Sequence, residues 1–365
     1  MTENKPTMLS YINEEQDVML KILEHYPSNV DAVVADIAKD SQEWLALATG
    51  SSINAMKSAK YYIEKMAQVR IDIQEPYNYC NYETINPHLD LVLGISQSGQ
   101  STSTIAALEK IRQSSKLTSI AVTSIPDSEI TAITTLTLDI GCGKERVGYV
   151  TLGFTATVLS LMLLGLRFGV KKGIVSLNNE AEEIRKFKEA TTKINKIIKK
   201  TETFVNQYND DFKDAVRFSA IGYGATVGTA KEMETKFSET IRVASQGYEL
   251  EAYMHGPYLE VNPEHRIFFI ETPSPRLSKA KLLKAYESQY TEHVFTITTA
   301  QSGIGDKTLA LDIALDEYQA AYLLIIPFQV MAWYIAKSKG IDLTKRIYTD
   351  FSQAVKSKTT VQDYV

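Results

Sequence analysis

Short apolar runs, each the length of a buried strand, recur along this chain with nearly the same spacing twice over. The first set begins near Trp44 (Trp-Leu-Ala-Leu-Ala-Thr), Asp90 (before Leu-Val-Leu-Gly-Ile), Leu117 and Thr135, and the second near Phe218, Arg266, His293 and Thr308. The gaps are about 46, 27 and 18 residues in the first set and about 48, 27 and 15 in the second. Such agreement points to an internal duplication. Continuous apolar runs bounded by turns fit strands of a parallel sheet, which are covered on both faces. Between them, Ser52 to Met66, Ser101 to Ser114 and Ala230 to Arg242 carry apolar residues at three- and four-residue spacing and predict helices. The alternation predicts an α/β fold in which one unit is used twice, each a doubly wound, mostly parallel sheet flanked by helices.

One stretch tests that reading. Val147 to Leu166 holds no charged residue and is flanked by Arg146, Arg167, Lys171 and Lys172, so it is long enough to span a membrane. It also contains Gly148, Thr151, Gly153, Thr155, Thr157 and Ser160, and the run Tyr318 to Lys337 occupies the equivalent place in the second half. Two equivalent helices are better read as buried in two cores. A hydrophobic content of 44% in 365 residues suffices for two such cores. Residues 178–209, rich in Lys and Glu and free of proline, read as a helical connector. The expected organisation is a helical segment 1–27, a first α/β domain 28–175, a connector 176–209, a second domain 210–345 and a tail 346–365.

Several function classes are disfavoured. The net charge is −5 and basic runs are short, which argues against a nucleic-acid partner. Cys80 and Cys142 form no CxxC pair, and Met1 to Asn29 is mostly polar, so a cytoplasmic protein without structural disulfides or membrane attachment is expected. His25, His88, His255, His265 and His293 lack paired ligand spacing, and no P-loop occurs. Gly222-Tyr-Gly-Ala-Thr-Val-Gly228 reads GxGxxxG, one residue longer than a dinucleotide fingerprint. The region about twenty residues on reads as helix and loop rather than as a second strand closed by an acid. Neither a metal nor a cofactor is therefore expected.

Two segments carry candidate chemistry. In Leu91-Val-Leu-Gly-Ile-Ser96-Gln97-Ser98-Gly99-Gln-Ser101, a buried strand ends in hydroxyls and a helix begins at about Ser101. Ligands of open parallel sheets bind beyond the carboxyl ends of strands, where helix N-termini offer free N–H groups. Ser96, Ser98 and Ser101 could surround a phosphate with uncharged donors; the plain alternative is a serine-rich turn with Ser101 as an N-cap. Gly50-Ser51-Ser52 follows the first strand and would reach the same crevice. The second segment is Glu232-Met-Glu-Thr-Lys236-Phe-Ser-Glu239, followed by His255-Gly-Pro257. Glu232, Lys236 and Glu239 share one helical face, which is either functional or a solvated salt-bridged surface. A turn histidine could project into a cleft.

Ser-Gln-Ser-Gly after a strand, an earlier Gly-Ser-Ser, the duplicated unit, and Glu-x-x-x-Lys-x-x-Glu followed by His-Gly-Pro together resemble the sugar isomerase (SIS) family. The likeness is to the isomerase half of glucosamine-6-phosphate synthase and to stand-alone phosphosugar isomerases and deglycases, over the chain from about Tyr11 onward. The resemblance implies two tandem SIS units. It implies that Ser52, Ser96, Gln97, Ser98 and Ser101 bind a sugar 6-phosphate, with Gly50, Ser51, Glu145 and Thr151 as further substrate contacts. Leu152 stands where the synthase pattern has lysine. Glu239 is implied as the group shuttling a proton between C1 and C2, and His255 as the ring-opening group, contributed in the family by a neighbouring subunit. A tail lysine is implied as a Schiff-base former, where spacing favours Lys356 over Lys358.

Such a set moves a proton between adjacent carbons without metal or coenzyme. The chain starts Met1-Thr2-Glu3, without an N-terminal cysteine nucleophile, so glutamine hydrolysis is not expected. The expectation is an isomerase, deaminase or deglycase acting on an amino-linked hexose 6-phosphate as a homodimer or dimer of dimers. The alternative is a non-catalytic phosphosugar-binding regulator.

Overall fold

Each of the eight short apolar runs read above is a strand, and each half adds one more. The computed structural model describes residues 5–301 and 305–365. The first five strands are β1 (Glu43–Ala48), β2 (Arg70–Gln74), β3 (Leu91–Ile95), β4 (Thr118–Thr123) and β5 (Leu136–Asp139). They form one parallel sheet in the order β2-β1-β3-β4-β5. β6 (Arg217–Gly222), β7 (Ala244–Glu249), β8 (Arg266–Glu271), β9 (Val294–Thr298) and β10 (Thr308–Ala310) form a second, in the order β10-β9-β8-β6-β7. Read from the other edge, the second order repeats the first, so the duplication inferred from spacing is a duplication of topology. Registers correspond as well: Leu45 lies opposite Val92 and Ile221 opposite Phe269.

The missed strands, β2 and β7, are edges. Arg70-Ile-Asp-Ile-Gln and Ala244-Ser-Gln-Gly-Tyr-Glu alternate or mix polar residues, because an edge strand leaves part of its surface to solvent. β7 also corrects the reading of the GxGxxxG region, where a second strand does follow and does close on an acid, Glu249. That carboxylate accepts the Ala252 N–H and caps the next helix.

Fourteen helices are described. The first seven are α1 (Met8–Glu24), α2 (Ser28–Ala35), α3 (Ser51–Ala67), α4 (Pro76–Tyr82), α5 (Thr102–Ser114), α6 (Leu152–Lys172) and α7 (Leu177–Thr191). They are followed by α8 (Ile194–Gln207), α9 (Asn209–Lys213), α10 (Thr226–Thr240), α11 (Leu250–Met254), α12 (Leu277–Glu287), α13 (Ile326–Ser338) and α14 (Phe351–Ala354). The connector is two helices, α7 and α8. In the second apolar run a short 3-10 turn precedes α13, whose first turn takes Pro327, the place where a missing N–H costs nothing. The two apolar runs lie inside the protein, with 89% of each most hydrophobic window buried.

The chain divides into two compact units, one of residues 17–185 and 346–365, the other of residues 7–16 and 186–345. The C-terminal tail thus packs with the first unit. Leu45, Leu47, Val92, Leu108, Ile111 and Ala121 from β1, β3, β4 and α5 make one core of unit 1. In unit 2, Ile221, Tyr223, Tyr253, Ile267, Phe269 and Leu283 make a corresponding one.

Candidate active site

In an order of 2-1-3 the connections leaving the two central strands diverge, opening a crevice at their carboxyl ends. β1 leaves through Gly50 into Ser51 and Ser52, the first residues of α3. β3 leaves through the loop 96–101 into α5. Ser96, Ser98 and Ser101 are buried in that loop. The loop is held from beneath, since the Gln97 carbonyl accepts from Ser124 N at 3.0 Å and Ser124 Oγ at 2.8 Å. Gly99 sits at φ +66° with its N–H on the Ser96 carbonyl, and a Cβ there would lie 1.8 Å from Ser128 Oγ. Ser101 occupies the N-cap position of α5, yet its hydroxyl makes no capping bond; it accepts from Thr104 Oγ1 at 3.0 Å. The plain N-cap reading of Ser101 therefore does not describe its side chain.

The tail is laid across this loop. Lys358 pairs with Ser101 in an antiparallel bridge, and its ammonium donates to Ser98 Oγ at 2.8 Å. Thr102 N–H donates to the Ser357 carbonyl, Thr102 Oγ1 to the Lys356 carbonyl, and Thr359 N–H to the Gln100 carbonyl. Further along, Gln100 bonds Thr360 and Gln362, and Asp363 pairs with Lys144 at 3.5 Å and Arg146 at 3.2 Å. A cavity of about 130 Å³ remains, lined by Gln97, Ser98, Gln100, Lys144, Glu145 and tail residues 360–364. Burial lowers the pKa of Lys358. The Lys356 side chain is exposed and its backbone turns at φ +52°. Of the two tail lysines, the one on the serine loop is thus Lys358, although spacing favoured Lys356.

Glu145 and Thr151 also meet in unit 1. Glu145 Oε1 accepts from Thr151 N and Oγ1, both at 2.9 Å, and Oε2 from Gly153 N at 3.0 Å. A buried carboxylate at the N-terminus of α6 satisfies free N–H groups and complements the helix dipole. Its geometry is that of a helix cap beside the cavity.

The candidates of unit 2 stand on α10 and after α11. Lys236 is 1% exposed, lies 3.5 Å from the fully buried Glu232 and pairs with Glu239, whose side chain is 30% exposed. The face is a buried charge cluster opening to solvent at Glu239, so the solvated-surface alternative does not hold. Burial raises the Glu239 pKa more than the Lys236 ammonium lowers it. His255 follows α11 in a turn, 79% exposed, with Nε2 at 3.9 Å from Glu251 Oε2.

Unit 2 has the same switch point but fills it. Tyr223, directly after β6, is 6% exposed. Its hydroxyl accepts from Thr272 N at 3.1 Å and bonds the Thr272 carbonyl at 3.2 Å, tying the ends of β6 and β8 together.

No protein-family model matches the chain. Glutamine–fructose-6-phosphate aminotransferase [isomerizing] of Caldanaerobacter subterraneus subsp. tengcongensis is 26% identical over 340 residues, 92% of this chain and 54% of the relative. A crystal structure of a candidate phosphosugar isomerase from Clostridium difficile 630 superposes with a TM-score of 0.87 at 26% identity, covering 97% of this chain and 99% of that one. These likenesses support the reading of the chain as similar to the sugar isomerase (SIS) family. Glucosamine-6-phosphate deaminase from Thermotoga maritima shares the SIS fold at a TM-score of 0.75 and 20% identity, covering 93% and 97% of the two chains. The chain spans about half the length of the curated relatives it matches. It carries two tandem SIS units and is related to phosphosugar isomerases.

Tyr223, Gln100 and the Lys144–Asp363 pair were not singled out in the sequence. A bulky residue directly after β6, where β1 is followed by Thr-Gly-Ser-Ser, was a legible sign that the two crevices differ. Nothing local marks Gln100 or Asp363.

Proposed function

We propose that this protein is an isomerase-type enzyme of amino-linked hexose 6-phosphates. The observation that carries the reading is the loop 96–101, with buried hydroxyls at a helix N-terminus, an uncapped Ser101 side chain and a cavity beside Ser98. Uncharged donors and helix N–H groups suit a phosphate monoester. A relative that aminates fructose 6-phosphate supports a nitrogen-bearing substrate.

In the proposed reaction, Ser52, Ser96, Gln97, Ser98 and Ser101 hold the phosphate, and Gly50, Ser51, Glu145 and Thr151 shape the pocket around the sugar. His255 protonates the ring oxygen and the sugar opens. Glu239 removes the proton from the nitrogen-bearing carbon of the C1–C2 pair, the electron pair passes to the carbonyl oxygen of the other, and Glu239 returns the proton to the former carbonyl carbon, which leaves an iminium at the substrate nitrogen. The Lys356 amine adds to that iminium and expels the nitrogen as ammonia or amino acid, and water hydrolyses the lysine imine to a free carbonyl and a free amine. With a 2-amino sugar the net change is isomerisation with loss of ammonia; with a sugar attached through an amino acid nitrogen, the amino acid leaves. A raised pKa suits Glu239 to both halves of the transfer, since an acid that is too strong takes a carbon-bound proton poorly.

The test is a screen of hexosamine 6-phosphates and 6-phosphofructosyl amino acids for released amine. Glu239→Gln is expected to lower kcat about 10²–10⁴-fold while phosphosugar binding persists. The acid limb of the parent's pH–kcat profile is expected above the ordinary carboxylate range, because Glu239 must be ionised to accept the proton. Unchanged turnover in Glu239→Gln removes the assigned role; binding without turnover by the parent leaves only the regulator.

A further inference from the structure

The tail lysine on the serine loop raises a question of charge. Lys358 is half-buried, its ammonium donates to Ser98 Oγ at 2.8 Å, and no carboxylate is paired with it among the described residues. Asp363, by contrast, is matched by Arg146 and Lys144. Burying a cation without a counter-charge is unfavourable unless an anion arrives to share the site. The neighbours of Lys358 are Ser98 and Ser101, hydroxyls at the start of α5, whose N-terminal dipole end also repels a cation and attracts an anion.

We propose that Lys358 is the cationic arm of the phosphate pocket, a residue that binds the phosphoryl oxygens alongside Ser96, Ser98 and Ser101 and takes no part in imine formation. This rests on the phosphate reading given above. An amine hydrogen-bonded to Ser98 stands at the phosphate end of the substrate. The remaining carbon chain and the ester oxygen separate that end from C1 and C2, where an imine must form. The two tail lysines thus divide the work. Lys358 is fixed by the bridge to Ser101 and by the Thr359–Gln100 and Ser357–Thr102 bonds, whereas Lys356 lies at a turn with its side chain free of that bridge. A hydroxyl-only pocket relies on neutral donors; adding a lysine makes affinity depend on substrate charge, so phosphate esters are selected over neutral sugars.

Isothermal titration of the full chain with inorganic phosphate tests this. Lys358→Gln is expected to weaken phosphate binding about tenfold to hundredfold, the range of a lost charge-assisted bond, while Lys358→Arg stays close to the parent. Ser96→Ala and Ser98→Ala serve as the control on the phosphate reading. If the serine variants weaken binding and Lys358→Gln does not, the role of Lys358 is refuted and the phosphate pocket stands. If neither affects binding, the pocket assignment itself fails. Borohydride reduction with substrate is expected to label Lys356, and a label on Lys358 overturns the division of roles. Should Lys358→Gln not fold, the parent still decides the matter: phosphate must slow acetylation of Lys358 several-fold by mass spectrometry and spare that of Lys356, and equal rates overturn the proposal.

Discussion

The two units share one sheet order and part company where that order reverses. After β1 and β3 the chain presents Gly50-Ser51-Ser52 and the loop 96–101, and a cavity remains beside Ser98. After β6 and β8 it presents Tyr223 and Thr272, and the tyrosine hydroxyl ties the two strand ends together. Duplication therefore supplied two crevices, and one side chain decided which stayed open. Unit 2 carries Glu239 on the helix that follows its closed switch point, so binding groups and the proposed acid–base group lie in different copies of one architecture.

That contrast can be broken most directly at Tyr223. Tyr223→Ala is expected to destabilise the protein by roughly 3–5 kcal/mol in denaturant titration, as removal of a buried aromatic does, whereas Tyr223→Phe costs about 1–2 kcal/mol for the Thr272 N–H left unpaired. Near-equal effects of the two variants, or none, show that the ring does not hold the crevice shut.

The loop glycines give the next test. Gly99 and Gly224 both have positive φ, +66° and +53°, but a Cβ at Gly99 meets Ser128 and one at Gly224 meets nothing within 4 Å. Gly99→Ala is expected to cost roughly 2–4 kcal/mol, from backbone strain plus overpacking, and Gly224→Ala about 1 kcal/mol from strain alone. Equal costs mean the loop 96–101 is not the tighter of the two.

Glu287 separates the units by pH. It is fully buried at the end of α12, neither carboxylate oxygen has a hydrogen-bond partner among the described residues, and burial raises its pKa to about 7. A folded-state value above the unfolded one means stability is fully present below the ordinary carboxylate range and is lost as pH rises through about 7. Glu287→Gln is therefore expected to stabilise the protein at pH ~8 by roughly 1–3 kcal/mol and to change little at pH ~4. A melting-temperature difference that is the same at both pH values contradicts the assignment.

The smallest effect is expected at Ser98. Ser98→Ala should leave stability within about 0.5 kcal/mol and raise the Kd for a hexose 6-phosphate about three- to tenfold, because the hydroxyl faces a cavity rather than a core. A large loss of stability makes Ser98 structural and weakens the contrast with Tyr223.

Much of the fold was legible because it is written in local periodicity. Runs such as Leu91-Val-Leu-Gly-Ile and the helix of Ala230 to Arg242 declare themselves by which neighbours along the chain are apolar, and the parallel pairing of the strands follows from the α/β alternation. The edge strands β2 and β7 escaped because half-exposed strands keep polar residues, and with β7 went the acid Glu249. The serine loop and the Glu232-Lys236-Glu239 face were visible as patterns. Their burial was not, since the same four- and three-residue spacing serves a solvated surface equally well. Glu145 was read as a substrate contact, and what its carboxylate engages is the start of α6.

The sequence alone determined a duplicated parallel α/β architecture, its two core helices and the hydroxyl-rich turn that ends β3, because strand and helix periods and small-residue turns are properties of adjacent residues. Tertiary structure decided which of Lys356 and Lys358 reaches the serines, that Tyr223 closes the second crevice, and that Lys236 lies buried between two acids. Those outcomes depend on segments that meet only in the folded chain: Ser98 and Lys358 are 260 positions apart, and no spacing rule along the polypeptide reports which of two nearby side chains will face a distant loop.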